Sequence, residues 1–404
     1  MLPDGWRRIT LGDCARFMSG GTPSKDVAAF WNGEFPWITA RDMKTFKLER
    51  AGLMITEAGR AEVSTAPVNS VLVLTRGMTL LKDLPVGVAC RPVAFNQDIK
   101  ALVATEDVDP WFLGYQLIAR KQEVLALVDT AGHGTGRLDT DQLKAFEIHL
   151  PPLLEQRAIA RLLSTWDEAV ATSQKLAVIK MREAELVREK LISSLNSADC
   201  VPLAELAEVR TGLAKGKTGQ SDTVQLPYLR VANVQDGWLD LREMKAISVP
   251  RSQVERYSLR HGDVLMTEGG DFDKLGRGTV WNGEIELCLH QNHIFAVRPN
   301  PDLALSGYVA AIAASSHGRS YFLSCAKRST NLASINSTQL KALPVPKISL
   351  SEQKRLAAVI ETAVKTGVTA TSIAESLAQE RSALVASLLS GRRRVRFPNP
   401  EFAT

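Results

Sequence analysis

Cysteine is scarce and unpatterned in this chain. Five residues among 404, Cys14, Cys90, Cys200, Cys288 and Cys325, are scattered, odd in number and free of any Cys-x-x-Cys pair. That excludes a disulfide framework and fits a reducing compartment in which thiols stay unpaired. Long apolar runs are missing too. No stretch approaches the roughly 20 apolar residues that a bilayer-spanning helix needs, and the opening segment has no apolar signal core. These absences predict a cytoplasmic protein with no membrane partner. Charge of one sign is nearly balanced, 49 Lys and Arg against 44 Asp and Glu for a formal net of +5. So small an excess is compatible with an acidic polymer as partner and decides nothing alone.

What is present is a repeat. Asp141-Gln142-Leu143-Lys144-Ala145-Phe146, followed by Leu153-Leu154-Glu155-Gln156-Arg157, recurs as Thr338-Gln339-Leu340-Lys341-Ala342-Leu343, followed by Leu350-Ser351-Glu352-Gln353-Lys354. Upstream, Leu11-Gly12-Asp13-Cys14-Ala15 answers Leu203-Ala204-Glu205-Leu206-Ala207, and Phe35-Pro36-Trp37-Ile38 answers Leu226-Pro227-Tyr228-Leu229. Asn69 to Thr75 likewise answers His261 to Thr267. Two copies of one unit therefore share their ends and differ in their loops.

Each copy divides by composition. Residues 1–150 and 199–346 carry short Val/Ile/Leu strands broken by Gly, Pro, Asn and Ser, with helical patches such as Trp111–Val128, and read as α+β. Residues 151–198 and 347–393 are long and periodic. No Pro or Gly falls between Pro152 and Cys200, and Ile159, Leu162, Leu163, Trp166 and Val170 follow helical spacing. A helix of about 40 residues extends about 60 Å. The second begins at Ser349-Leu350-Ser351-Glu352, a capping-box pattern, and its stripe runs through Leu356, Val359, Ile360 and Ala363 to Ile373, Leu377, Leu384 and Leu388. Gly367 is expected to bend it. Neither helix can bury such a stripe alone, so the expected fold has two similar α+β domains joined by two long antiparallel-packed helices. Together the helices form a coiled-coil-like spacer in a pseudo-two-fold internal repeat. Residues 394–404, after an Arg392-Arg393-Arg394 run, read as a solvated tail.

Two related domains at a fixed separation suit a ligand with two distant contact points, and duplex DNA read at two half-sites is the obvious candidate. The Leu143-Lys144-Ala145-Phe146 and Glu155-Gln156-Arg157 segments, with their second copies, each follow a variable domain and open a long helix. They resemble the conserved regions of the specificity subunits of type I restriction-modification systems, and the resemblance covers nearly the whole chain. It implies that residues 1–150 and 199–346 are target recognition domains, each reading half of a bipartite, asymmetric site in double-stranded DNA. The helices at 151–198 and 347–393 would then set the gap and dock two modification subunits. No catalytic activity and no cofactor belong to this chain under the resemblance. S-adenosylmethionine, ATP and Mg would sit on the modification subunits and, where one is present, a restriction subunit. The alternative from another class is a non-catalytic scaffold whose repeated domains bind protein.

Base-reading candidates are loop residues with the right donors and acceptors, since Arg matches guanine and Asn or Gln matches adenine in the major groove. In the first copy they are Thr22, Ser24 and Lys25, Thr39 and Arg41, Arg76, Asn96 and Gln97, and Thr135 and Arg137. In the second they are Lys215 and Lys217, Arg230 and Asn233, Lys274 and Arg277, Gln291 and Asn292, and Lys327 and Arg328. Each can equally be a phosphate contact or a plain surface residue.

Competing motifs fail. Lys215-Gly216-Lys217-Thr218 resembles the end of a phosphate-binding loop, but the pattern requires glycine where Thr211 stands. Cys288, His290 and His293 are close enough to suggest zinc, yet the aligned first-copy residues are Val93, Phe95 and Asp98, so no metal is expected. Asn399-Pro400-Glu401-Phe402 only faintly resembles the motif of amino methyltransferases. Asp98-Ile99-Lys100, a fragment of a nuclease pattern, is His293-Ile294-Phe295 in the other copy. His133 stands in a glycine-rich loop with no nucleophile beside it and reads as a turn residue.

Overall fold

The computed structural model describes residues 2–131, 134–214, 222–270, 272, 275–328 and 333–395, with the backbone alone at 131 and 328. The chain forms two compact units, Met1–Ala171 with Ser376–Thr404, and Thr172–Glu375. The division runs through the middle of both long helices, Leu153–Ser193 and Leu350–Leu389, rather than at their ends.

In the first unit a five-stranded sheet has the spatial order Ala15–Ser19, Ile99–Ala104, Val71–Leu74, Val86–Ala89, Lys47–Leu48. Val71–Leu74 and Val86–Ala89 are buried throughout, which is why they contain hardly a polar residue. A four-stranded sheet places Trp31–Ile38 parallel to Val93–Phe95. A small sheet joins Val128–Ala131, Thr135–Leu138 and Arg76–Gly77, and Arg7–Thr10 pairs with Glu147–Leu150. The helix expected across Trp111–Val128 is shorter. It starts at Pro110 under Asp109, whose side chain accepts the Phe112 N–H, and ends at Ala119. A short helix Lys121–Leu125 follows, and Val128 enters a strand opposite Leu138.

Ile159 and Leu163 of the first long helix and Val385, Leu388 and Leu389 of the second enter this unit's core. Glu155 meets Arg394 and Asp167 meets Arg381, so residue numbers rise along one helix as they fall along the other. The halves are antiparallel. Arg394 is thus part of the packed unit and not of a solvated tail: its guanidinium forks onto the Glu155 carboxylate at 2.6 and 2.7 Å and donates to the Asp4 carbonyl.

The second unit repeats the parts. Ala207–Thr211, Ile294–Pro299, Val264–Thr267 and Gly278–Val280 form the main sheet, and Thr223–Leu229 lies parallel to Leu289–His290 as Trp31–Ile38 does to Val93–Phe95. Gly269–Gly270, Ala333–Ser334 and Lys327–Arg328 form the small sheet, and Cys200–Pro202 pairs with Pro344–Pro346. Leu356 and Ile360 of the second long helix and Ile192 of the first are buried in its core, whereas Val359 and Ile373 of the expected stripe are exposed. Gly367 does not interrupt the helix. A Cβ there would lie 2.6 Å from Met181 Sδ, so the glycine permits the two helices to approach closely.

One difference between the copies is large. The first unit packs Phe46 against Trp111 and Tyr115, with ring centroids 5.8 and 4.5 Å apart. The aligned positions of the second unit hold Gly237, Gly307 and Ala311, which line a cavity of about 420 Å³.

Candidate functional site

Glycine builds the rim of the first unit. At Gly20 a Cβ would lie 2.3 Å from the carbonyl oxygens of Phe95 and Asn96, so only glycine lets the loop cross there. The Gly21 N–H donates to Phe95 O, and Thr22 Oγ1 then reaches Gln97 Oε1 at 2.7 Å. Asn96 N–H donates to Ile38 O, which brings Thr39 alongside. Thr75 and Arg76 N–H both donate to Asp98 O, and Arg76 faces Arg137 in the small sheet. Backbone pairing thus gathers Thr22, Thr39, Arg76, Asn96, Gln97 and Arg137. Ser24 and Lys25 are exposed farther along the Gly20 loop, Arg41 is exposed beyond Thr39, and Thr135 is half-buried at the far end of Arg137's strand. The Thr39 hydroxyl is already donated to Asp42 at 2.7 Å, which holds the turn carrying Arg41.

The second unit uses the same frame. A Cβ at Gly212 would lie 2.3 Å from His290 O, Leu213 N–H donates to His290 O, and Asn292 N–H donates to Leu213 O. Gln291 N–H donates to Leu229 O as Asn96 does to Ile38 O, and Glu268 N–H donates to His293 O as Thr75 does to Asp98 O. Lys327 joins through Ser334, which pairs with both Gly269 and Lys327. Arg277 is half-buried beside Thr267, whose N–H donates to its carbonyl. Lys215, Lys217 and Lys274 lie outside the described residues, as do the Arg328 side chain, His133 and the Asn399 segment.

Two candidates differ from expectation. Asn233 is 3% exposed; its Oδ1 accepts the Arg230 N–H and its Nδ2 donates to the Asp240 and Glu243 carbonyls. Its amide is consumed in closing a turn and offers nothing outward. Arg230 is half-buried and donates to the Glu243 carbonyl at 3.0 Å. Sequence reasoning cannot tell an outward amide from one spent in a turn, because both favour Asn.

The sequence reading passed over Glu268 and weighed His293 only as a metal ligand. His293 Nδ1 lies 2.5 Å from Glu268 Oε2, and because a carboxylate only accepts, Nδ1 carries the proton. Asn292 Nδ2 is 3.5 Å from His293 Nε2. The sequence alignment of Thr75 with Thr267 is shifted by one residue in the ladders: Leu138 N–H donates to Thr75 O as Ile335 N–H does to Glu268 O, so Thr75 corresponds to Glu268.

The supposed metal cluster disperses. Cys288 packs with Leu229, Leu265 and Trp281, where burial pushes its thiol up to about 12. His290 is buried with Nδ1 against Ile294 O at 2.9 Å, and His293 turns to Glu268. Among the described residues no three His, Cys, Asp or Glu side chains converge as metal ligands. No helix of the described residues is long and apolar enough to cross a membrane.

A duplicated α+β frame with polar loop rims and long antiparallel helices is the architecture these observations define. Residues 3–181 match the family described as the type I restriction modification DNA specificity domain, so this part of the chain is similar to that family. The Type I restriction enzyme EcoR124I/EcoR124II specificity subunit of Escherichia coli is 32% identical over 161 residues, 39% of this chain and 40% of that subunit. The chain spans about two fifths of the length of this and of two Methanocaldococcus jannaschii specificity subunits that it also matches. The StySPI specificity subunit of Salmonella potsdam is 22% identical over 89% of this chain and 82% of its own length. The crystal structure of a type I restriction-modification S subunit from M. genitalium shares the fold, with a TM-score of 0.62 at 16% identity over 96% of this chain and 98% of that one.

Proposed function

We propose that this chain supplies DNA sequence specificity to a type I restriction-modification complex, the rim of each unit reading one half of a bipartite, asymmetric site. The observation that carries this is one backbone frame built twice with unlike side chains at matching places. Thr75, Asn96, Gln97 and Asp98 of the first unit stand where Glu268, Gln291, Asn292 and His293 stand in the second, and Arg76 stands where Gly269 does. A shared frame with unlike rims is what an asymmetric target requires. Arg76 and Arg137 suit guanine or phosphate, and the Asn and Gln pairs suit adenine. The long helices set the gap between half-sites and dock two modification subunits and, where one is present, a restriction subunit. The chain itself makes and breaks no bonds. Methyl transfer from S-adenosylmethionine to adenine, and work driven by ATP and Mg, belong to those partners, all in the cytoplasm.

The experiment is methylome sequencing of a host expressing the chain with its modification subunit. Adenine methylation at a bipartite motif, changed in one half when either rim is exchanged, supports the reading. DNA binding without sequence dependence by an assembled complex would favour the scaffold instead.

A further inference from the structure

We infer that the cavity of about 420 Å³ in the second unit binds a small monocarboxylate with a flat apolar body, and that Arg188 takes the carboxylate. The cavity shares no residue with the rim described above, and the inference does not rest on the DNA reading. Arg188 lies on the first long helix and lines the cavity with a side chain only 8% exposed. Among the described residues it makes no hydrogen bond. The carboxylate oxygens of Asp236 and Glu189 stand 3.8 and 4.0 Å away, and Arg188 Nε is buried without a partner. Both acids are engaged elsewhere: Asp236 accepts from Arg319 at 2.9 Å and Glu189 from the Ser316 N–H at 2.8 Å. A buried guanidinium is costly unless acceptors meet its N–H fork.

In the first unit the matching space is filled. Gln156 accepts the N–H of Asp109 and Gln353 that of Leu305, so Trp111 and Tyr115 correspond to Gly307 and Ala311. The offset between the same two glutamines sets Arg188 at the place of Val385, a residue of the first unit's apolar core. Around one space the second unit thus has two rings fewer and a cation more.

Size, walls and charge define the occupant. The volume falls in the range of pockets that enclose small molecules. Gly237, Gly307, Ala310, Ala311, Ile360 and Val364 are short or apolar and leave room for a ring where the first unit has its own. A carboxylate presents two acceptors in the plane of the guanidinium fork. Asp236 and Glu361, also on the lining, oppose a doubly charged phosphate more than a single carboxylate. Bound there, the ligand meets both long helices and the Ser306–Ala314 helix together, and it stabilises the unit by mass action.

The test titrates the full chain by calorimetry with benzoate, phenylacetate and indole-3-acetate, each beside its uncharged carboxamide. At least one acid is expected to bind saturably in the millimolar range or tighter and to raise the thermal midpoint, with its amide at least about tenfold weaker. R188M, which keeps the reach of the side chain and removes the fork, is expected to bind acid and amide alike. A311F, which puts a ring of the chain's own into the cavity, is expected to bind neither. If no acid binds, or if R188M binds the acid as tightly as wild type, the proposal is overturned and the guanidinium is served by water alone. If R188M does not fold, the other two comparisons decide: equal binding of acid and amide by wild type, or undiminished binding by A311F, overturns it as well.

Discussion

Gln156 accepts the backbone N–H of Asp109 on its side-chain oxygen at 2.8 Å. Its amide nitrogen donates to the carbonyls of Asp107 and Pro151, so one buried side chain ties the start of a long helix to the start of the Pro110–Ala119 helix. In the second unit Gln353 does the same, accepting from Leu305 N–H at 2.8 Å and donating to Leu303 O and Ile348 O. The recurring Glu-Gln-Arg/Lys motif is therefore a latch between a helix and the domain before it.

Gln353→Leu keeps the bulk and removes all three bonds, leaving one N–H and two carbonyls unsatisfied in a site where Gln353 is 2% exposed. We expect a loss of about 2–4 kcal/mol, read as faster hydrogen exchange of Ser306–Ala314 in the full chain. Unchanged exchange there would mean that the latch is incidental.

The repeat was legible because latches of this kind are local: a residue that must cap a given turn recurs wherever the turn does. The two glutamates beside the glutamines show the limit of the same logic. Glu352 closes a reciprocal box with Ser349 as its spacing predicts, while Glu155 is buried beneath Arg394, far away in the chain. Pairing over that separation has no periodic signature, so the last arginines read as a tail. For the same reason the halves of each long helix belong to different units although the helical pattern runs through without a break.

Arg394→Ala strands Glu155, whose side chain is 5% exposed. Breaking a buried pair costs several kcal/mol, but Arg394 is itself 40% exposed and solvent screens the interaction, so we expect about 1–3 kcal/mol. Arg394→Lys, which keeps the charge and loses the fork, should fall between. Denaturant midpoints of the two variants, measured beside wild type, check the order; equal midpoints for all three would refute it.

The cavity of about 420 Å³ in the second unit gives a test in the opposite direction. Ala311 stands where the first unit has Tyr115, and Ala311→Phe returns a ring to the space that Gly237 and Gly307 leave open. We expect stabilisation of about 0.5–2 kcal/mol, seen as a higher thermal midpoint. A lower midpoint would show that the walls cannot admit a ring in the orientation of the first copy.

His290 and Phe95 hold equivalent buried places, and the exchange of a ring that titrates for one that does not sets a pH dependence on the second unit alone. Burial is the main cause that pushes the His290 imidazole down from 6.5 to about 4, against the pull of the Ile294 carbonyl and Asp263 in the other direction. A histidine whose pKa is lower folded than unfolded binds more protons in the unfolded state between those two values. Its contribution is therefore intact above about pH 6.5 and is lost as the pH falls toward 4. The loss is on the order of 3 kcal/mol, and it should appear as hydrogen exchange in Ile294–Pro299 that accelerates on acidification beyond its intrinsic rate. His290→Phe, which installs the first unit's own residue, should flatten that acceleration while leaving the protection of Ile99–Ala104 as it was. An equal acid response in wild type and variant would place the sensitivity elsewhere.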